Sequence, residues 1–192
     1  MEDDIQKAKE PLQDDGSTNR WKFTKALIWL GLIAFLVFVG FGLLKTQRGS
    51  ARKGEKAPDF TLTSFDGKRY ALADNHGKVV VLNFWASWCH PCEQEAEALE
   101  TAWQSFKDRG DVLFLGIDYV DTEPEAMGYL AKYHVSFPNG ADMGTKISQA
   151  YRISGVPETY IIDKNGIVAF TLKGPFQSAE QIISAIEPLL ER

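Results

Sequence analysis

The longest feature of the hydrophobic pattern comes early. From Ala26 to Leu44 the chain reads ALIWLGLIAFLVFVGFGLL, 19 residues without a charge, a proline, an asparagine or a glutamine. A helix over that run crosses roughly 28 Å, close to the ~30 Å hydrocarbon core of a bilayer. Arg20, Lys22 and Lys25 precede it, Lys45 and Arg48 follow it, and Trp21, Phe23 and Trp29 lie near its first boundary. Aromatic and basic residues belong at such interfaces. The run is longer than a signal-peptide core of about 7–15 residues and no A-x-A-like site follows, so the pattern predicts one uncleaved transmembrane anchor. Residues 1–25 read as a polar tail on one side and 45–57 as a polar, cationic linker on the other.

From residue 58 the pattern changes to short apolar runs separated by turn residues. Phe60–Leu62 and Arg69–Leu72 read as strands around the turn Phe65-Asp66-Gly67-Lys68. Lys78–Trp85 and Val112–Asp118 are almost continuously apolar, as strands buried on both faces are. Helices are predicted over His90–Asp108, Glu123–Tyr133 and Thr145–Tyr151. Thr159–Asp163 and Ile167–Leu172 flank Lys164-Asn165-Gly166, an Asn-Gly hairpin signal. Ser178–Leu190 closes the chain with an apolar stripe of Ile182, Ile183, Ile186, Leu189 and Leu190. The order predicts an α/β domain over 58–192, a central sheet flanked by helices, preceded by one N-terminal transmembrane helix.

Charge narrows the function. The whole chain carries −5, but residues 58–192 hold 11 Lys+Arg against 19 Asp+Glu, while the first 57 hold 10 against 7. An acidic body is a poor match to a phosphate backbone, so nucleic acid is not an expected partner. The flanks of the apolar run carry three basic residues before it, over 11–25, and five after it, over 45–59. Counted alone, these place the body in the cytoplasm.

The chain has two cysteines, in Cys89-His90-Pro91-Cys92, directly after a predicted buried strand and at the start of a predicted helix. The first turn of a helix presents unpaired N–H groups and a partial positive charge, which stabilise a thiolate. Cys89, outermost, is the expected attacking sulfur and Cys92 the resolving one. Pro91 sets the first helical turn without wasting a donor. His90 is expected to tune the pair towards thiolate. A structural zinc site needs four ligands, and only His76, His90 and His134 accompany the two sulfurs; no metal is expected, and the redox-active disulfide needs no other cofactor.

Glu95 falls three residues after Cys92 and four before Leu99, leaning towards the apolar face Cys92, Ala96, Leu99, Trp103 and Phe106. Buried there, its carboxyl would have a raised pKa and could exchange protons with Cys92; spacing alone leaves a surface position equally open. Val156, Pro157 and Glu158 precede a strand and are expected to meet substrate, with the Val156 backbone pairing to an extended peptide.

These residues resemble a known family. Asn83-Phe84-Trp85-Ala86-Ser87-Trp88-Cys89-His90-Pro91-Cys92 is similar to the active-site segment of thioredoxin-fold proteins. With Ala57-Pro58-Asp59-Phe60, Glu95 and Gly155-Val156-Pro157, residues 54–192 resemble the membrane-anchored TlpA/ResA/CcmG branch, and Pro157-Glu158-Thr159 is most like its cytochrome c maturation members. The resemblance implies a thioredoxin-like fold, a cis Val156–Pro157 bond, a buried active-site carboxyl at Glu95 and a helix inserted between Val120 and Gly140. It implies a domain outside the cytoplasm, against the flank count, with residues 1–25 cytoplasmic. It implies a thiol-disulfide oxidoreductase that reduces disulfides of secreted proteins, such as the CxxCH motifs of apocytochrome c, and is recharged by a transmembrane thiol electron donor. The branch's usual proline at the position of Glu97 is absent, and the His90-Pro91 dipeptide differs from its common ones.

Two other functions compete. A peroxiredoxin also opens with Ala-Pro-Asp-Phe-Thr-Leu, but needs a proline and a hydroxyl residue at the positions held here by Leu82 and Ala86. A copper-binding chaperone on the same fold would need a late histidine beside Cys89 and Cys92, and only His134 is available.

Overall fold

The computed structural model describes residues 17–46 and 51–191, and the chain divides after Arg48 into two units. The first is one helix, α1, Ser17–Thr46. It starts well before the expected Ala26: no glycine or proline lies between Gly16 and Gly31, so nothing stops the helix from running through the polar residues. The rest of the predicted polar tail, and residues 47–50 of the predicted linker, lie outside the described residues. The described side chains of α1 are Lys25 and those from Leu27 to Phe41, and the large apolar ones among them are exposed. Among the described residues no helix is long and apolar enough to cross a membrane.

The second unit is built on a five-stranded sheet. In chain order its elements are β1 (Thr61–Thr63), β2 (Arg69–Ala71), β3 (Val79–Trp85), α2 (His90–Phe106), β4 (Val112–Asp118), α3 (Glu123–Lys132), β5 (Asn139–Ala141), α4 (Lys146–Tyr151), β6 (Glu158–Ile162), β7 (Val168–Lys173) and α5 (Ala179–Leu190). The order across the sheet is β5-β4-β3-β6-β7. β3 pairs parallel with β4 and β4 with β5, while β6 runs antiparallel to both β3 and β7. This is the thioredoxin-like arrangement.

β3 shows why the run is apolar throughout. Its alternate residues feed two cores. Val80, Leu82 and Phe84 pack with Phe60, Leu62, Ile147 and Tyr151 on one face. Val79 and Val81 pack with Leu99, Ala102 and Phe106 of α2 and Ile182, Ile186 and Leu189 of α5 on the other. The predicted apolar stripe of α5 is therefore its core face, and Ser178 Oγ accepts a hydrogen bond from the Gln181 N–H at its start.

β5 is the strand the sequence pattern does not reveal. Asn-Gly-Ala has no apolar alternation, and tertiary packing makes it a strand. Its outer edge is covered by the β1–β2 hairpin: the Phe65 N–H donates to the Asn139 carbonyl at 2.8 Å. A Cβ on Gly140 would lie 2.3 Å from the Thr63 carbonyl oxygen, so only glycine permits this approach.

The expected linker also ends sooner than residue 57. Ala51 and Ala57 are buried. Gly54 N–H donates to the Val168 carbonyl at 2.8 Å and Val168 N–H to the Glu55 carbonyl at 2.9 Å, so this segment lies along the edge of β7.

Candidate active site

β3 ends at Trp85, and residues 86–89 turn the chain into α2. Cys89 is the N-cap of that helix: its Sγ accepts the Cys92 N–H at 3.2 Å, and Pro91 sits in the first turn. A first-turn amide, shared with the Cys89 carbonyl at 3.0 Å, is therefore aimed at Cys89 sulfur, the arrangement that favours its anion. In this structure Cys89 and Cys92 are joined as a disulfide. Cys89 is only 3% exposed and Cys92 1%. The expectation of a clearly outermost Cys89 is thus tempered. Both sulfurs belong to an apolar cluster with Trp85, Ala86, Ala96, Ala126, Tyr129 and the half-buried Val156. Trp88, 61% exposed, is the apolar surface beside them.

Glu95 is on the core side: it is 1% exposed. Oε1 accepts from Asn83 Nδ2 at 2.8 Å and Oε2 from the Phe176 N–H at 2.9 Å. Burial pushes its carboxyl up to about 7, and the two donated hydrogen bonds oppose that rise. Asn83 spends its second amide hydrogen on Thr159 Oγ1 at 2.9 Å, which links β3, β6 and α2.

His90 is turned outwards. Its Nδ1 is 3.3 Å from Glu93 Oε2, and Lys132 Nζ donates to Glu93 Oε1 at 3.4 Å. Hydrogen bonding by Tyr133, with His90 and Lys132, holds Glu93 below the usual carboxylate range. The ring expected to tune the pair is therefore engaged with an acidic side chain on the next turn. Tyr129 of α3, the helix expected as an insertion, donates its hydroxyl to the Cys92 carbonyl at 2.8 Å. Its ring stacks on Trp85 with centroids 4.4 Å apart.

The Val156–Pro157 bond is cis. Pro157 is buried, and Val156 lies outside the ladder, which begins at the Glu158–Phe84 pair. Glu158 is placed differently from the expectation that it meets substrate. It is buried, and its carboxylate is used internally: Oε2 accepts the Ser154 N–H at 3.0 Å and the Ser154 hydroxyl at 3.1 Å, and Oε1 accepts the Tyr160 hydroxyl at 2.5 Å, with Lys173 Nζ 3.7 Å away. Buried polar oxygens need such partners, and both Glu158 oxygens take theirs from within the domain.

Sequence reasoning misses Asn83, Tyr129, Phe176 and Asp121. Asn83 has a signal, a polar residue in an otherwise apolar strand. Tyr129 and Phe176 reach the site from 37 and 81 residues away along the chain, and no local pattern marks them. Asp121 holds the loop before Cys89, its Oδ1 accepting the Ser87 hydroxyl at 2.8 Å and its Oδ2 the Ser87 N–H.

The competing functions find no support in the geometry. Leu82 and Ala86, where a peroxiredoxin needs its proline and hydroxyl, are fully buried apolar residues. His134 is exposed and lines a surface groove of about 760 Å³ with Trp103, Leu130 and Val135, and neither cysteine lines that groove. Among the described residues no three His, Cys, Asp or Glu side chains gather where a metal could be held.

Comparison with known proteins agrees with the site. Residues 53–171 match the AhpC/TSA family. A thiol-disulfide oxidoreductase ResA from Bacillus cereus is 35% identical over 156 residues, covering 81% of this chain and 87% of that protein. ResA of Geobacillus kaustophilus is 30% identical, covering 84% and 92%. A crystal structure from Chlorobium tepidum, assigned as a thiol:disulfide interchange protein DsbE, superposes with a TM-score of 0.63 at 32% identity, over 71% of this chain and 99% of that one. The match over residues 53–171 and the ResA relatives place the chain, with its Cys89–Cys92 pair at the head of α2, in the AhpC/TSA family as a thiol-disulfide oxidoreductase.

Proposed function

We propose that this protein is a membrane-tethered enzyme, with its domain outside the cytoplasm, that reduces disulfides of secreted proteins. The CxxCH disulfide of apocytochrome c is the substrate we put first, and a transmembrane thiol carrier restores the reduced enzyme. The observation that carries the reading is the Cys89 sulfur capping α2, with the Glu95 carboxyl buried three residues beyond Cys92 on the same helix.

The reaction follows from that arrangement. The Cys89 thiolate attacks one sulfur of the substrate disulfide, forming a mixed disulfide and releasing the other substrate sulfur as thiolate. Cys92, losing its proton to the Glu95 carboxylate, attacks Cys89 Sγ. The second substrate sulfur leaves, and the enzyme retains the Cys89–Cys92 disulfide. Two electrons have passed to the substrate, and Val156 and Trp88 flank the exchange. Tethering rests on α1, whose exposed apolar side chains from Leu27 to Phe41 lie within the uncharged run Ala26–Leu44.

The test is Cys92→Ser in the full-length chain. It should accumulate a mixed disulfide through Cys89, and mass spectrometry identifies the trapped protein. Trapped peptides carrying CxxCH support the apocytochrome c assignment; capture of other secreted proteins alone rejects it. Protease accessibility in sealed cells lacking a wall tests the side of the membrane, and a domain protected from external protease rejects the topology.

A further inference from the structure

Among the described residues of the second unit, four large apolar side chains are exposed: Trp88, Val120, Met127 and Met143. Three of them follow one path away from the dithiol. Trp88 precedes Cys89, and its indole N–H donates to the Val120 carbonyl at 3.4 Å. Val120 precedes Asp121, which lines a groove of about 580 Å³ with Phe65, Glu123, Met143 and Lys146. The groove is tied to the active site twice. Asp121 accepts both Ser87 hydrogens, and half-buried Phe65 packs against the cluster that holds the two cysteines. Exposed apolar side chains gathered along one path mark an interaction surface.

The Asp121 carboxylate is committed to Ser87, but exposed Glu123 and Lys146 make no hydrogen bond or ion pair with a described residue. Along the chain Glu123 is the one beside the active-site loop, two residues after Asp121 at the start of α3. With 11 Lys+Arg against 19 Asp+Glu over 58–192, the field of the body draws basic polypeptides and repels acidic ones. Met143, 78% exposed, offers an unbranched, adaptable apolar surface. The occupant follows from the reaction: in the mixed disulfide the substrate chain is fixed to Cys89 and runs over the surface beside it. Two residues of backbone and the Ser87–Asp121 hydrogen bond place the near wall within about 15 Å of Cys89, roughly four residues of extended chain.

We propose that this groove is an exosite for the substrate polypeptide. About four residues from the attacked cysteine, an apolar side chain of the substrate rests on Phe65 and Met143, and a basic side chain next to it pairs with Glu123. Trp88 and Val156 border the exchange itself, whereas Phe65, Met143 and Glu123 read the substrate at a distance from its disulfide. They thereby select among disulfides of equal reactivity.

The proposal rests on the oxidoreductase reading, and its test separates the two. The reduced full-length protein in detergent micelles is mixed at low salt with synthetic peptides that carry one Cys-x-x-Cys disulfide. Leu-Arg, Leu-Glu or Gly-Ser is placed either about four residues out on both sides or directly beside the cysteines. Quenched samples resolved by mass spectrometry give the second-order rate of peptide reduction. At the outer position Leu-Arg should react about threefold faster than Leu-Glu and roughly tenfold faster than Gly-Ser. Glu123→Lys should reverse the outer preference for Arg over Glu and leave the inner one as it is, because a change in the long-range field alone acts on both positions alike. Met143→Ser should remove most of the gain from leucine at the outer position. Equal wild-type rates for the three outer peptides overturn the exosite, and that comparison decides even where a variant misfolds. An outer preference for Arg that survives Glu123→Lys overturns it as well. If the wild type reduces none of the peptides at either position, the oxidoreductase reading falls and the exosite with it.

Discussion

Asn83 donates to Glu95 across 2.8 Å of buried space, from the central strand to the active-site helix. Both Glu95 oxygens act as acceptors, one from Asn83 and one from the Phe176 backbone. These bonds favour the charged carboxylate, whereas burial favours the neutral acid. Burial wins, but only by enough to bring the group near neutrality. A carboxyl poised there can both take up and release a proton near neutrality, as the proposed transfer from Cys92 requires.

The pH dependence of stability follows with a definite sign. The folded carboxyl of Glu95 sits near 7, above its ordinary value of 4.5. The native state therefore binds the proton more tightly than the unfolded chain, so this group's contribution is complete below about pH 4.5 and is lost as pH rises towards 7. Over that window the loss is about 3 kcal/mol. Glu95→Gln should flatten this part of the stability profile, measured by urea denaturation of the oxidised protein at several pH values. The variant keeps a neutral group but faces one backbone or amide donor with its own NH₂, at a cost of about 1 kcal/mol. In the reduced enzyme it should also remove the step near neutrality from the pH profile of thiol alkylation. An unchanged profile would exclude Glu95 from the proton transfer.

Tyr129 separates a hydrogen bond from a stacking contact. Tyr129→Phe removes the donor to the Cys92 carbonyl and leaves the ring on Trp85. The expected loss is about 1 kcal/mol. Tyr129→Ala removes both contacts and opens a cavity beside the dithiol, with an expected loss of about 3–5 kcal/mol. Denaturant midpoints of the two variants measure the difference, and equal losses would mean that the ring contributes nothing.

The legible part of the molecule is the part written locally. β3 and β4 are visible as apolar runs because both of their faces are buried, and α2 because Cys89, Pro91 and its apolar face mark start and direction. Cys89 and Cys92 need only their spacing and position. Glu95 needs more: spacing leaves it between surface and core, and its burial depends on Asn83 and Phe176, which no local pattern connects to it. Glu158 reads as facing substrate because it follows Pro157, yet strand pairing at the Phe84 register turns its carboxylate towards Tyr160 and Ser154. β5 is invisible because its sequence carries no alternation; neighbours, not propensity, make it a strand.

Phe84 tests the core under the site. It is fully buried, and its ring lies 5.6 Å from Tyr151 and 5.9 Å from Tyr160, centroid to centroid. Phe84→Ala should cost about 3–5 kcal/mol, and Phe84→Leu, which refills most of the space, considerably less. Thermal unfolding of the two variants gives the comparison. A loss below about 1 kcal/mol for Phe84→Ala would show that Tyr151 and Tyr160 close the cavity, since the cost depends on how far a site collapses.

Gly116 connects a single methyl group to the indole next to the active-site loop. Asn139 accepts from Trp85 Nε1 at 2.8 Å and donates to the Phe137 carbonyl at 2.8 Å, with its side chain lying over Gly116. A Cβ at residue 116 would fall 1.6 Å from Asn139 Oδ1 and 2.9 Å from Trp85 Nε1. Gly116→Ala must therefore expel the Asn139 side chain and leave the buried indole N–H without its acceptor, which costs about 1–3 kcal/mol before any strain in β4 and β5 is added. Trp85→Phe in the same background removes the orphaned donor, so the double variant should lose less than the sum of the two single ones. Additive losses, measured as a double-mutant cycle by chemical denaturation, would show that Asn139 finds another position from which it still accepts the indole N–H.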